Sequence, residues 1–174
     1  MSEVNLTPTS YIVLGLLETT GGGTPYDLKR MVAVSVGNFW SVQHSQLYSE
    51  AKRLAEGGHL SARRERGGRR RVAYALTDRG RDALSRWRSE PTAELSQVRE
   101  PGLLKLFFGA DPGPLAEAQL EGHRARLAEY EALRAADSGA GPRGPWRALD
   151  AGTDYERGVI AFWERVARDA ADGE

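Results

Sequence analysis

The stretch that decides the fold runs from Ser41 to Leu76 and reads SVQHSQLYSEAKRLAEGGHLSARRERGGRRRVAYAL. Its first part has apolar side chains at i, i+4 and i+7, which is typical of one buried face of a helix, and it stops at Gly57 and Gly58. Its second part predicts two strands joined at Gly67 and Gly68, a favoured two-residue hairpin connection. A helix, a glycine stop and a basic hairpin together indicate a winged helix that reads DNA.

The outward face of this predicted helix, from Ser41 as its cap to about Glu56, is polar and basic. A helix fits the major groove, where we expect Gln43, Gln46 and Ser49 to bond base edges. Lys52 and Arg53 are expected mainly at phosphates, and for any one of these residues a merely solvated face is an equal alternative. The complete predicted DNA-binding set is Gln43, His44, Ser45, Gln46, Tyr48, Ser49, Lys52 and Arg53 on the helix, with Arg69, Arg70 and Arg71 on the hairpin.

Arginine is concentrated at the predicted hairpin, between Arg63 and Arg71. A hairpin tip of this charge can lie along the phosphate backbone or enter a narrow minor groove. We expect it to supply much of the salt-dependent affinity, and the alternative is a solvated loop. The charge is divided along the chain: 29–88 holds 14 Lys and Arg against 5 Asp and Glu, and 89–174 holds 10 against 16, so the net charges are +9 and −6.

Three threonines, Thr7, Thr24 and Thr77, are placed as helix caps around the deciding stretch, and the first two precede a proline. The second of these helices is expected to end near Val36. A proline at position 91 favours a boundary at about residue 90, which divides the chain into a winged-helix domain, 1–90, and a helical domain, 91–174. The predicted fold class is mainly α with a small β-hairpin wing, in which an N-terminal winged helix-turn-helix precedes an all-helical C-terminal dimerisation domain.

The C-terminal half has the pattern of helices throughout. Leu103 to Phe108 predicts a short apolar helix, and Asp111 starts another. Asp137 to Pro145 is rich in Gly, Ala, Ser and Pro and is expected to be a mobile loop. Thr153 and Glu156 then fit a capping box at the start of the last helix.

An apolar stripe on the last helix is the predicted dimer contact, because so many large side chains must be buried against something. We expect the first helix to join the same interface. The predicted dimerisation residues are Tyr155, Val159, Phe162, Trp163 and Val166, with Leu14 and Leu17 of the first helix.

Several classes of function are not supported by the residues present. The chain has no cysteine and only three histidines, so thiolate chemistry is excluded and neither a metal site nor a cofactor is expected. No nucleophile elbow or apolar-flanked carboxylate pair indicates an enzyme. No apolar run reaches the length of a membrane span and no signal peptide is present, so we expect a cytoplasmic protein.

The sequence resembles the PadR family of bacterial transcriptional regulators over nearly its whole length. It departs from the family pattern at Pro25, where glycine is usual, and at Ala51, where leucine is usual. The resemblance is carried by YIVLGLL at Tyr11 to Leu17, TPYDLKR at Thr24 to Arg30, FWSVQHSQLYSEAKRLAEGGHL at Phe39 to Leu60 and RRVAYALTDRGRDAL at Arg70 to Leu84. LLKLFFG at Leu103 to Gly109 and YERGVIAFWERV at Tyr155 to Val166 are similar to the longer-tailed branch.

This resemblance implies a homodimer, usually a repressor, bound to double-stranded promoter DNA. A two-fold dimer would place two recognition helices about one turn of DNA apart, so we expect a pseudo-palindromic operator. The resemblance also implies release by a small aromatic ligand, with phenolic acids among the family's ligands. Trp87, Trp146 and Trp163 are the candidate effector residues, although burial in a core or a dimer contact is the favoured alternative for them. A winged-helix adaptor that binds proteins and no specific DNA is the second hypothesis for the chain as a whole.

Overall fold

The computed structural model describes residues 4–64, 71–97, 99–136 and 143–173. The chain divides into two compact units, Met1–Glu94, called here the wing unit, and Leu95–Glu174, the helical unit. The wing unit contains α1 (Pro8–Thr20), α2 (Pro25–Ala33), a short 3-10 helix (Val36–Asn38), α3 (His44–Glu56), β1 (Leu60–Arg64), β2 (Val72–Leu76) and α4 (Asp78–Ser89). The helical unit contains α5 (Pro101–Phe107), α6 (Pro112–Ala135) and α7 (Arg143–Asp172).

The three threonine caps of the wing unit are confirmed. The hydroxyl of Thr7 accepts a hydrogen bond from the Ser10 N–H, and the hydroxyl of Thr77 accepts one from the Gly80 N–H. At α2, Thr24 accepts from the Asp27 N–H and in turn donates its N–H and hydroxyl to the Asp27 carboxylate. These two bonds to the charged form hold the pKa of Asp27 below its ordinary value.

The core of the wing unit joins α1 to the helix-turn-helix and to the hairpin. Leu14 and Leu17 are fully buried in it, together with Leu28 of α2 and Leu47 and Leu54 of α3. The prediction that Leu14 and Leu17 contribute to a dimer contact is therefore corrected, because neither side chain has surface left for a second copy.

The hairpin is antiparallel, and its register pairs Leu60 with Leu76. Tyr74 of β2 also pairs with Gly23, whose N–H and carbonyl exchange hydrogen bonds of 2.9 and 2.8 Å with the Tyr74 backbone. Glycine is required just before this bridge, because Gly22 has φ +130° and a Cβ there would lie 2.9 Å from the Tyr74 carbonyl oxygen. The glycine run after α1 is thus a turn that attaches the hairpin to the start of α2.

Two helix boundaries of the wing unit differ from those predicted. The second helix ends at Ala33, and Val36 belongs to the 3-10 helix that follows. Ser41 is not the cap of α3, since the helix begins at His44, where the Gln46 side chain accepts a hydrogen bond from the Gln43 N–H. The spacing of apolar residues that predicts a helix continues to Val36, but the α-helix itself ends at Ala33 and a 3-10 helix follows.

The helical unit is built on the antiparallel contact between α6 and α7. Trp163 is fully buried between them with Ala116 and Leu120, and its indole N–H donates to Glu100 at 3.3 Å. The Nδ1 atom of His123 lies 2.5 Å from the Glu156 carboxylate, which adds a polar link between the same two helices.

The start of the last helix was wrong in the sequence prediction. Helix α7 begins at Arg143, so Thr153 lies inside it and its hydroxyl donates to the Leu149 carbonyl instead of capping. Residues 143–145 of the predicted loop are helical, and the rest of that loop lies outside the described residues. Threonine and glutamate at capping spacing also suit a helix interior, where the hydroxyl bonds back to the preceding turn.

Over the described parts of the chain, a search for helices with the length and apolar character of a membrane span found none.

Candidate nucleic-acid interface

Helix α3 turns one face into the wing unit and the other to solvent. Leu47, Ala51 and Leu54 are completely buried against α1 and α2, so the backbone orientation of the helix is set by core packing. The residues brought together on the exposed face are Gln43, His44, Ser45, Gln46, Tyr48, Ser49 and Lys52. These are seven of the eight helix residues predicted to contact DNA, and Arg53 is the eighth.

The polar groups on the exposed face are held mainly by local bonds. The Ser49 hydroxyl donates to the carbonyls of Ser45 and Gln46, both at 3.1 Å, so its oxygen still has capacity to accept. Lys52 lies 3.6 Å from Glu56 in a pair that is mostly exposed. Such a surface pair is weak, so the ammonium group of Lys52 is available to a phosphate.

Arg53 is placed differently from the prediction. Its guanidinium bonds both carboxylate oxygens of Glu50, at 2.6 and 2.9 Å, and the Asn5 carbonyl at 2.8 Å. It also donates to the Ser10 hydroxyl at 3.1 Å. Four of the five N–H donors of Arg53 are thus bonded inside the wing unit, and its contact with a phosphate stays a prediction.

Glu50 is the reason for this arrangement. It is only 9% exposed, and the Ser10 hydroxyl of α1 donates to it at 2.5 Å. Burial acts to raise the pKa of Glu50, but the hydrogen bonds from Arg53 and Ser10 outweigh burial and hold this pKa below its ordinary value. The Glu50 carboxylate thus joins α1 to α3, and its partner Arg53 joins α3 to the N-terminal segment, so the pair fixes how α3 is presented.

The basic hairpin lies next in the chain. Arg63 and Arg64 of β1 and Arg71 just before β2 have exposed side chains. Arg66, Arg69 and Arg70, together with the Gly67 and Gly68 connection, lie outside the described residues. Of the three hairpin residues in the predicted DNA-binding set, the structure thus places Arg71 alone.

Two aromatic residues between the 3-10 helix and α3 were missed by the sequence interpretation. Phe39 is 65% exposed and Trp40 46% exposed, although both belong to large apolar residue types. They follow the 3-10 helix and precede the first residues of the polar face. Two adjacent aromatics outside any helix-period pattern were the available signal.

The three predicted effector residues occupy separate places. In the wing unit, Trp87 stacks on Tyr11, with ring centroids 4.7 Å apart and planes inclined by 9°. In the helical unit, the Arg134 guanidinium lies 5.4 Å above the Trp146 ring. Trp163 lies 17 residues further along α7, or about 25 Å at 1.5 Å per residue, so these two do not share a pocket. The full burial of Trp163 in the core also removes it from the predicted dimer surface.

A helix with a polar outward face, set beside a basic hairpin on a three-helix core, defines a winged-helix DNA-binding protein. Comparison with known proteins is consistent with this class. Residues 13–86 match the Transcriptional regulator PadR-like family, and residues 98–169 match the Virulence activator alpha C-term family. Each match lies inside one of the two units.

The chain is 33% identical over 138 residues to the negative transcriptional regulator PadR of Bacillus subtilis, covering 72% of this chain and 74% of that protein. The crystal structure of Bacillus subtilis PadR in complex with operator DNA superimposes with a TM-score of 0.81 at 26% identity, covering 92% of this chain and 98% of the other. The structure of Bacillus subtilis PadR in complex with p-coumaric acid gives a TM-score of 0.75 at 24% identity, with coverage of 96% and 99%.

The chain belongs to the PadR-like family of transcriptional regulators. It is a DNA-binding transcriptional regulator, and its additional C-terminal match confirms the longer-tailed branch.

Proposed function

We propose that the protein is a repressor that binds a pseudo-palindromic operator as a homodimer. The observation that carries this proposal is the polar face of α3, held outward by a buried core and flanked by the exposed arginines Arg63, Arg64 and Arg71. The relative from Bacillus subtilis is described as a negative regulator, and its structure was determined with operator DNA, which supports the same sign of regulation here.

In this proposal α3 enters the major groove, and each predicted residue contacts either a base edge or the DNA backbone. Gln43, Gln46 and Ser49 read base edges, with His44, Ser45 and Tyr48 beside them, while Lys52 contacts a phosphate. Arg69, Arg70 and Arg71 bind the backbone or the minor groove. A two-fold dimer places the two α3 helices about 34 Å apart, which is one turn of DNA.

We propose that the helical unit makes the dimer and that α5 supplies part of its surface. Four large apolar side chains of this segment, Leu103, Leu104, Phe107 and Phe108, are exposed, the last two by 82% and 76%. Exposed apolar surface of this density is unusual on a monomer and favours a second copy as its cover. Tyr155, Val159, Phe162 and Val166 of α7 retain partial exposure and form the second part of the proposed interface.

The dimer surface is tested by light scattering of the full chain after gel filtration. The double substitution Phe107→Ser and Phe108→Ser should convert the dimer to a monomer, because it removes the most exposed apolar rings. Val34→Ser is the matched control, since Val34 is a similarly exposed apolar residue in the wing unit. A doubly substituted protein that remains dimeric would exclude α5 from the interface.

Sequence-specific binding is tested by fluorescence anisotropy with a duplex from the region upstream of the gene and an unrelated duplex. We expect tighter binding to the upstream duplex by about 1,000-fold or more, with a log-log salt slope near −0.9 per phosphate contact. Gln46→Ala should reduce the discrimination and leave the unrelated duplex unaffected, whereas Arg126→Ala in the helical unit should change neither. Equal weak binding to both duplexes, unaffected by Ala at Arg69, Arg70 and Arg71, would favour the adaptor.

We propose further that a small aromatic effector releases the operator, which is supported by the relative that was crystallised with p-coumaric acid. A cytoplasmic location and the absence of a catalytic role belong to the same proposal, as expected for a regulator of this family. A screen of phenolic acids against operator affinity tests the effector. An operator affinity that no compound changes would refute ligand-dependent release.

A further inference from the structure

Three ionisable side chains meet where the helices of the helical unit come together. His123 lies on α6, Glu156 lies on α7, and Glu100 directly precedes the first residue of α5. The Nδ1 atom of His123 lies 2.5 Å from a Glu156 carboxylate oxygen, and its Nε2 atom lies 3.7 Å from a Glu100 carboxylate oxygen. The side chains of His123, Glu156 and Glu100 are only 18%, 6% and 12% exposed, so water and salt screen their interactions weakly.

The imidazole of His123 can pair with both carboxylates only when it is protonated. A neutral imidazole carries one N–H, and its other nitrogen presents a lone pair. In one tautomer this lone pair faces Glu156 and in the other it faces Glu100, so one charged carboxylate is always repelled. An imidazolium has an N–H on each nitrogen and attracts both carboxylates. Protonation therefore decides whether His123 links α7 to the start of α5.

Two neighbouring aromatic side chains do not replace this link. The indole N–H of Trp163 donates to the same Glu100 oxygen at 3.3 Å, but it is a neutral donor. The pKa of the Tyr155 phenol is raised, first by burial and then by the charges of Glu100 and Glu156. The phenol is therefore uncharged near pH 7 and supplies no cation to the cluster.

The basic residues adjacent to the cluster in the chain are bonded elsewhere. Arg124, the next residue on α6, donates to Glu164 at 2.7 Å. Arg99, beside Glu100, is exposed and donates to Gln97. Within the described residues, no lysine or arginine forms a salt bridge with the carboxylate of Glu100 or Glu156.

The same region attaches α5 to the rest of the helical unit. Gly102, in the first turn of α5, packs so closely that an added Cβ would lie 2.7 Å from the Gln119 side chain and 2.8 Å from the Trp163 ring. One turn later, Leu106 packs against the core between α6 and α7. The other side of this seven-residue helix carries the exposed apolar residues of the proposed dimer surface. The ionic contact at its start is therefore a large part of what holds α5 in place.

We infer that His123 is a positioning residue whose proton holds α5 in place, so that the homodimer is more stable at pH 6 than at pH 8. The inference rests on the proposed dimer surface of α5. Histidine side chains change charge between about pH 5 and pH 8. When His123 loses its proton, the start of α5 is released, and ordering this segment again opposes association. Proton binding and dimerisation then favour each other, because linkage is reciprocal.

The first measurement is the dissociation constant of the full-chain dimer by sedimentation at pH 6 and pH 8 and constant ionic strength. We expect dissociation to be about tenfold easier at pH 8, which corresponds to one charge-assisted hydrogen bond. His123→Gln removes the titrating charge, and Glu100→Gln removes the charge that faces Nε2 while keeping an acceptor for Trp163. Each substitution should bring the two constants within about twofold of each other. Glu117→Gln, at an exposed carboxylate on α6, is the matched control and should retain the tenfold difference.

Hydrogen exchange of the α5 backbone amides measures the attachment of α5 without requiring a dimer. After correction for the pH dependence of the chemical exchange rate, protection should be lower at pH 8 than at pH 6 in the unaltered protein. It should be equal at the two pH values in His123→Gln. If circular dichroism shows that His123→Gln does not fold, Glu100→Gln decides both measurements.

The inference is overturned if the unaltered dimer dissociates equally at both pH values. It is also overturned if His123→Gln and Glu100→Gln weaken the dimer by one common factor at both pH values, since these residues would then be merely structural. A chain that stays monomeric at both pH values would refute the proposed dimer surface separately. Hydrogen exchange would still decide the role of His123 in that case, because α5 protection that does not depend on pH excludes it.

Discussion

Replacing Arg53 with methionine tests how α3 is held in place. Arg53→Met keeps an unbranched apolar side chain and removes the guanidinium that bonds Glu50, Asn5 and Ser10. Glu50 then remains buried with the Ser10 hydroxyl alone as its side-chain partner. The wing unit should therefore lose stability without any change in its apolar core.

The size of the loss follows from the bonds. Two charge-assisted hydrogen bonds join Arg53 to Glu50, and each contributes about 1.5 kcal/mol to the free energy of unfolding. The Arg53 side chain is 36% exposed, so water replaces part of what is lost, and we expect a net destabilisation of about 2 kcal/mol. Lys52→Met is the matched control, because its exposed pair with Glu56 at 3.6 Å contributes at most about 0.5 kcal/mol.

The pH dependence of the free energy of unfolding tests the same hydrogen bonds independently. The folded-state pKa of Glu50 is lowered, so its stabilisation is present above the unfolded pKa of about 4.3 and is lost as the pH falls through the folded value. Without Arg53, burial raises the pKa of Glu50. The free-energy cost of burying its charge then disappears once Glu50 is protonated. The difference in stability between the unaltered protein and Arg53→Met should thus be largest at pH 7 and shrink toward pH 4.

Urea denaturation followed by circular dichroism at these two pH values measures the effect. Glu50→Gln combined with Arg53→Met should recover part of the loss, because a neutral amide costs less to bury than an unpaired carboxylate. An Arg53→Met protein no less stable than Lys52→Met would show that the network does not stabilise the wing unit. A difference that is the same at pH 7 and pH 4 would show that the charge of Glu50 is not involved.

Three further outcomes are expected. In salt titrations of operator binding, Lys52→Gln should lower the log-log slope by about one, whereas Arg53→Gln should leave the slope unchanged because its guanidinium is already used. Gly80→Ala should destabilise the wing unit by about 1 to 3 kcal/mol in urea denaturation, since the new Cβ would meet the His59 carbonyl oxygen. Leu14→Ala should cost about 2 to 5 kcal/mol in the same assay and leave the dimer intact in gel filtration, because Leu14 is a core residue of the monomer.

The predictable features are those that depend only on residues close together in the sequence. Thr7, Thr24 and Thr77 cap the helices they were predicted to cap, because a cap needs only its own helix turn. The glycine stop after α3 is equally local. The start of α7 was not predictable in this way, since Thr153 and Glu156 satisfy the capping pattern while lying inside a helix.

Side-chain roles that depend on distant residues could not be predicted. Phe107 and Phe108 looked like ordinary helix residues, and only the packing of the helical unit leaves them exposed. Trp163 was predicted at the surface of a dimer, but the pairing of α6 with α7 buries it completely. An apolar stripe indicates that a helix face is covered, and it does not indicate which element covers it.

The sequence by itself determined a winged helix, its family, its polar reading face and its basic hairpin, because periodicity, caps and turns are set by residues close in the chain. The tertiary structure alone decided that Arg53 bonds Glu50 and Ser10, since Ser10 lies 43 positions away. It also decided that His123 lies between Glu100 and Glu156. The physical reason is that burial and partner choice depend on which elements pack together, and no local pattern records that.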